Sequence, residues 1–156
     1  MKELELKDIV GYLPYKLKGF LGHNHNSNEI FEWIGINIDK NKLLWKDLES
    51  DFIIEAELQY CEIILRPMSD LTKPIKVEGY NEGKEFVPIL EFGDFEEDKE
   101  YALFSDLSIY FKTDKGNWVS HSKLSLEDVQ LLYQWHFDIH NLREKGLCVY
   151  YNEIEL

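Results

Sequence analysis

His136 and His140 stand four residues apart, the spacing that on a helix lets two imidazoles reach one metal ion. Zinc would need further ligands, which His23 or His25 of an upstream loop could supply. The zincin pattern places a general-base Glu directly after the first His, and here that position is Phe137, so hydrolysis of that type has no support. The plainer reading makes both histidines core or boundary residues beside Trp135 and Phe137, with ring nitrogens that find hydrogen bonds. No metal ligand is assigned on this ground, and a metal-binding domain or metal-dependent enzyme centred on His136 and His140 stands as the alternative to the reading reached below.

Other sets with chemical potential are weaker. His23, Asn24 and His25 spell a nuclease name, but that motif is a spatial arrangement and adjacent letters do not make it. Asp94 to Asp98 begins like a calcium loop, yet the sixth position is Lys99 where Gly should turn, and the twelfth is Ser105 where Glu should close the site. Ser120, His121 and Ser122 are the nearest approach to a nucleophile beside a base, and they sit where polar turn residues are expected before a helix cap. Neither GxxxxGK[ST] nor GxGxxG occurs, which disfavours nucleotide chemistry. Arg66 precedes Pro67 with Asp70 four residues on, an arrangement read as a structural ion pair. No catalytic residue and no cofactor are expected, and the chain is read as a non-enzyme.

The acids carry the clearest signal. Of a net charge of −13, two windows account for nearly all: Asp47 to Glu62 and Glu91 to Asp106 are each worth −6. Carboxylates at this density are solvated surface, or they imitate a nucleic-acid backbone and occupy the basic groove of a protein that handles DNA or RNA. The second reading assigns partner binding to Asp47, Glu49, Asp51, Glu55 and Glu57 in the first window, and to Asp94, Glu96, Glu97, Asp98 and Glu100 in the second. Phe92, Phe95, Tyr101 and Phe104, interleaved with these acids, would then be apolar anchors. A pI near 4.7 with only two arginines, Arg66 and Arg143, argues against direct binding of nucleic acid.

These residues need a scaffold, and 156 residues with 44% hydrophobic content are enough for one compact domain over residues 1–156. Cys61 and Cys148 lie far apart in apolar runs, as reduced, packed thiols do. Met1 to Asp8 alternates charged and apolar residues, unlike a secretory signal, and no window approaches the ~20 apolar residues of a membrane span. The expected location is the cytoplasm.

The pattern predicts a short helix over Leu6 to Leu13 ending near Pro14, a strand over Tyr15 to Leu21, and a loop over Gly22 to Asn28. Glu29 to Ile38 and Lys42 to Trp45 read as a hairpin, and Asp51 to Cys61 fits either a helix or a strand. Glu62 to Arg66 is a strand stopped by Pro67, and Ile75 to Val77 pairs with Glu85 to Ile89 across Gly79, Asn81 and Gly83. Tyr101 to Phe104 and Leu107 to Lys112 are further strands. A long helix is expected from Ser125, capped with Asp128, to about Arg143, with Gly146 at its exit and a last strand over Leu147 to Tyr151. The fold class expected is α+β, mostly antiparallel strands with one long C-terminal helix and a short N-terminal one.

Leu13-Pro14-Tyr15, the stretch Ile64-Leu65-Arg66-Pro67-Met68-Ser69-Asp70-Leu71-Thr72, and Trp135-His136-Phe137-Asp138 leading to Glu144-Lys145-Gly146-Leu147 resemble, in that order, segments of small uncharacterised proteins encoded by phages and prophages. The resemblance implies a genomic setting and brings no catalytic residue or ligand onto these positions. With the acidic windows it gives the expected function: a phage or mobile-element accessory protein that binds and inhibits a host nucleic-acid-handling defence protein, in the manner of an anti-CRISPR. The expected partner is a host protein with a basic nucleic-acid-binding surface, a CRISPR effector being its most concrete form, with no membrane partner. A phage regulatory or assembly factor is the further alternative.

Overall fold

The computed structural model describes residues 3–22, 29–93, 95–96, 98–103 and 107–154. In chain order its first elements are helix α1 (Leu6–Ile9), which continues as a 3-10 helix (Val10–Tyr15), and strands β1 (Lys18–Leu21), β2 (Phe31–Asn37), β3 (Lys42–Asp47), β4 (Ile53–Ala56) and β5 (Cys61–Leu65). Then come β6 (Tyr101–Leu103), β7 (Ser108–Lys112), β8 (Trp118–Lys123), helix α2 (Leu126–Gln134) and β9 (Cys148–Tyr150). The chain divides into two compact units, Met1–Arg66 with His136–Leu156, and Pro67–Trp135. The fold class is α+β, and among the described residues every strand pair is antiparallel except β5 with β9.

The first unit is built on a six-stranded sheet in the order β4-β3-β2-β1-β5-β9. The β2–β3 hairpin forms as its sequence predicts, because Asn41 takes a left-handed turn at φ 51, a conformation Asn accepts at low cost. Alternation in β3 turns Leu43 and Trp45 into the core, and Trp45 lies opposite the equally buried Trp33 of β2. Gly19 of β1 is required here: a Cβ would stand 2.8 Å from the Glu62 carbonyl oxygen and 3.1 Å from the Trp45 ring. β5, flanked on both sides by partner strands, buries Ile63, Ile64 and Leu65 completely. The segment Asp51 to Cys61, open in the sequence, is β4 followed by a 3-10 turn (Leu58–Tyr60).

The long C-terminal helix is not formed. Its start is as expected, with Ser125 Oγ accepting from the Asp128 amide and the Asp128 carboxylate from the Ser125 amide, both at 3.1 Å. It ends after nine residues at Gln134, where Trp135 leaves helical geometry and His136 adopts φ 60. Arg66 then holds the returning chain, donating from its amide to the His136 carbonyl at 2.7 Å and accepting from the Asp138 amide at 2.9 Å. The buried Asp138 carboxylate accepts from the amides of Leu142 at 2.7 Å and Arg143 at 3.0 Å, closing a turn in place of helix. Trp135, Phe137 and Leu142 are fully buried in this irregular segment.

The second unit carries a three-stranded sheet, β6-β7-β8. Trp135 gathers Tyr80, Phe86 and Phe92 around its ring at centroid distances of 5.2, 5.1 and 5.7 Å. The strands expected over Ile75 to Val77 and Glu85 to Ile89 reduce to one bridge, Ile75 with Phe86. Pro74 and Pro88, which cannot donate to a ladder, both fall on the same side of that antiparallel bridge and keep it from extending in that direction. β8 is a strand the sequence did not show, because all six of its residues are exposed and no alternation marks them.

Candidate functional site

Most of the first acidic window, Asp47 to Glu57, follows the β4 margin of the six-stranded sheet: it starts at the end of β3, turns, and forms β4 at the end of the strand order, while its last acid, Glu62, lies away from that margin in β5. Asp47 shapes the turn, its carboxylate accepting from the Glu49 amide at 2.8 Å and from Ser50 Oγ at 2.8 Å, bonds that hold it below the usual carboxylate range. Asp51 sits at φ 60 and pairs with Lys46 Nζ at 3.3 Å. Glu55 accepts from Asn37 Nδ2 at 3.0 Å and Lys40 Nζ at 3.3 Å, which lower its pKa, and Glu57 accepts from Gln59 Nε2 at 2.7 Å. Glu49 is exposed beside them.

Between these carboxylates lie apolar side chains that the core does not cover. Phe52 is 72% exposed and Ile53 62%, with Ile54, Leu48 and Tyr60 also on the surface. The sequence displayed this Phe-Ile-Ile run between acids, but its exposure follows from the terminal place of β4 in the sheet. An edge strand with bare apolar side chains is a template for another chain. At its far end an open groove of about 330 Å³ is bordered by Leu4, Glu57 and Leu58.

The second window is organised otherwise. Glu96 pairs with Lys99 at 3.1 Å and Glu100 with Lys112 at 3.3 Å. Asp98 and Glu100 border an open groove of about 440 Å³ together with Lys99, Lys112 and Asp114, a lining of mixed sign. Asp94, Glu97, Phe104 and Asp106 lie outside the described residues. The aromatics expected as anchors are engaged internally: Phe92 stacks on Trp135, and Phe95 packs against Tyr101 and stacks on His121 at 4.6 Å. Each unit's charge is close to that of its window, −6 for the first unit and −7 for the second. The ten partner-binding candidates thus fall into two groups, one in each unit.

The histidine pair does not share a helix face, since α2 stops before His136. His136 is buried in the first unit, with Nε2 donating to the Tyr15 carbonyl and Nδ1 accepting from Tyr151 Oη at 3.3 Å. Both ring nitrogens are thereby committed in the neutral ring, and burial pushes its pKa down to about 4. His140 is shifted down as well, chiefly by burial. Among the described residues no group of three or more His, Cys, Asp or Glu is placed to hold a metal ion; His23 and His25 lie outside them. His121 Nδ1 lies 3.1 Å from Ser122 Oγ on the exposed β8, and its ring is part of the Phe95 cluster.

Asp70 pairs with Lys73 at 3.0 Å, and the Arg66 guanidinium stands over the Tyr151 ring at 4.7 Å. Cys61 and Cys148 are free and buried, and burial raises both thiols, Cys61 to about 11. Neither is poised as a nucleophile at neutral pH. No helix among the described residues is long and apolar enough to cross a membrane. Comparison of the chain with protein-family models, curated proteins and solved structures finds no match in any of the three.

Proposed function

We propose that this protein is a non-enzymatic accessory protein of a phage or mobile element that works in the host cytoplasm by occupying the basic, nucleic-acid-binding surface of a host defence protein, as an anti-CRISPR does. The observation that carries the reading is the margin of the first sheet, where Phe52 and Ile53 stand exposed among Asp51, Glu55 and Glu57. Carboxylates supply long-range attraction and orientation, and apolar neighbours supply contact energy once water is expelled. The ion pairs of Asp51 and Glu55 are solvent-exposed, a kind that holds its partners weakly, so exchanging Lys46 and Lys40 for a partner's bases costs little.

The test is capture from a lysate of a bacterium that carries defence systems, followed by assay of the captured protein's hold on its guide or target strand. Retention at about 50 mM salt, release at about 500 mM, and competition with nucleic acid support the reading. Binding that ignores salt, or that survives the double reversal Asp51→Lys with Glu55→Lys, overturns it. Full biological function in that double variant points instead to a phage regulatory or assembly factor whose acids serve solubility.

A further inference from the structure

We infer that the partner is engaged by strand addition: an extended segment with Lys or Arg at every second position and apolar residues between pairs with the free edge of β4. The inference rests on the binding role proposed above and specifies its geometry. The Asp47 amide donates to the Phe52 carbonyl at 2.8 Å, which fixes the phase of the antiparallel ladder between β3 and β4. Bonded and non-bonded residues alternate along such a ladder, so Ile54 and Ala56 turn their backbone groups toward β3 while Ile53 and Glu55 turn theirs outward. Among the described residues no strand lies beyond β4 in the sheet. The outward amides and carbonyls of Ile53 and Glu55 form a short template of donors and acceptors.

The side chains specify what the template takes. Ile54 lies opposite the buried Trp45, which places Ile54 and, by alternation, Phe52 on the core-side face. Ile53 and Glu55 occupy the other face, and Glu57, extended at φ −69 and ψ 146, follows them in phase. An added strand with bases opposite Glu55 and Glu57 and apolar residues beside Phe52 and Ile54 satisfies both faces together. A second copy of this chain is the wrong occupant, because pairing β4 with β4 would bring Glu55 and Glu57 against like charges on chains of net −13.

The experiment uses the full chain and a synthetic Lys-Val repeat of about eight residues, enough to span a short strand, in three forms. One is unmodified, and the others carry N-methyl groups on all lysines or on all valines, which removes alternate amide donors and leaves the charge intact. Strand pairing predicts that one methylated form loses roughly tenfold or more in affinity while the other keeps it, since only alternate amides face the edge. Protection of the Ile53 and Glu55 amides from hydrogen exchange should accompany binding. A protein variant, Ile53→Pro, removes one outward donor and leaves the bonds to β3 in place, and it should weaken binding without unfolding the chain. Equal binding of both methylated forms, no binding at about 50 mM salt, or a dimer of the chain that Ile53→Pro dissolves overturns the inference. Salt-sensitive capture of a host protein alongside equal binding of both methylated peptides would sink strand addition and leave the acidic-surface reading standing.

Discussion

Acidification should reach this fold through His136 before it reaches most of the carboxylates. The ring is buried, donates from Nε2 to the Tyr15 carbonyl, and has a folded pKa near 4 against an ordinary 6.5. A group whose folded pKa is depressed binds fewer protons in the native state than in the unfolded chain, so stability rises with pH across the interval between the two values. The contribution is complete above pH 6.5 and is lost as pH falls toward 4. Linkage over that interval gives a loss of roughly 2–3 kcal/mol by pH ~4.5, a large share of the 5–15 kcal/mol typical of a whole domain. Asp47, Glu55 and Glu153, also shifted down, lose their stabilising effect at lower pH, and relief of the net −13 charge acts in the opposite direction. A comparison of variants removes these shared effects. His136→Asn keeps a side chain that tolerates φ 60 and removes the titrating ring. Urea unfolding of both proteins in steps from pH ~7.5 to ~4.5 should show the wild type losing stability faster, the gap between the two narrowing by about 2 kcal/mol or more. A gap that stays constant with pH would refute the buried, neutral imidazole.

Other perturbations follow from single contacts. Gly19→Ala drives a Cβ against the Glu62 carbonyl and the Trp45 ring and should cost about 1–3 kcal/mol or more, read as a lower urea midpoint with an unchanged m-value. Ser125→Ala removes the acceptor of the Asp128 amide and should cost about 1 kcal/mol by the same measurement. Asp51→Lys with Glu55→Lys should leave the chain folded, since the ion pairs to Lys46 and Lys40 and the Asn37 hydrogen bond that are lost are all exposed, while abolishing salt-sensitive partner binding; a urea transition checks the first and salt-dependent capture the second.

Features set by neighbours in sequence were legible beforehand. The Ser125–Asp128 cap, the hairpin over residues 31–47 and the stop of β5 before Pro67 each depend on a few adjacent residues. The end of α2 was not, because Trp135, Phe137 and Leu142 are buried in a segment whose shape is dictated by Arg66, some 70 residues away in sequence. β8 escaped notice for the opposite reason, since a strand without a buried face leaves no alternation to read. At the candidate site the carboxylates were visible as composition, whereas the exposure of Phe52 and Ile53 follows from the end place of β4 in the strand order, a long-range property. The aromatics of the second window illustrate the converse: Phe92 and Phe95 sit among acids in sequence and among rings in space.

The parallel pairing of β5 with β9 sets a schedule for synthesis. Leu65 is matched with Tyr150, so β5 leaves the ribosome with one margin open until more than 80 further residues have followed. At roughly 5–20 residues per second that interval lasts on the order of 4–17 s, long compared with hairpin formation. During it Ile63, Ile64 and Leu65 lack the strand that covers them in the finished sheet, while residues 67–135 emerge whole and can fold meanwhile. The nascent chain is therefore most exposed to misassociation in the seconds before Cys148 to Tyr150 arrive, and truncation ahead of Cys148 would make that transient hazard permanent.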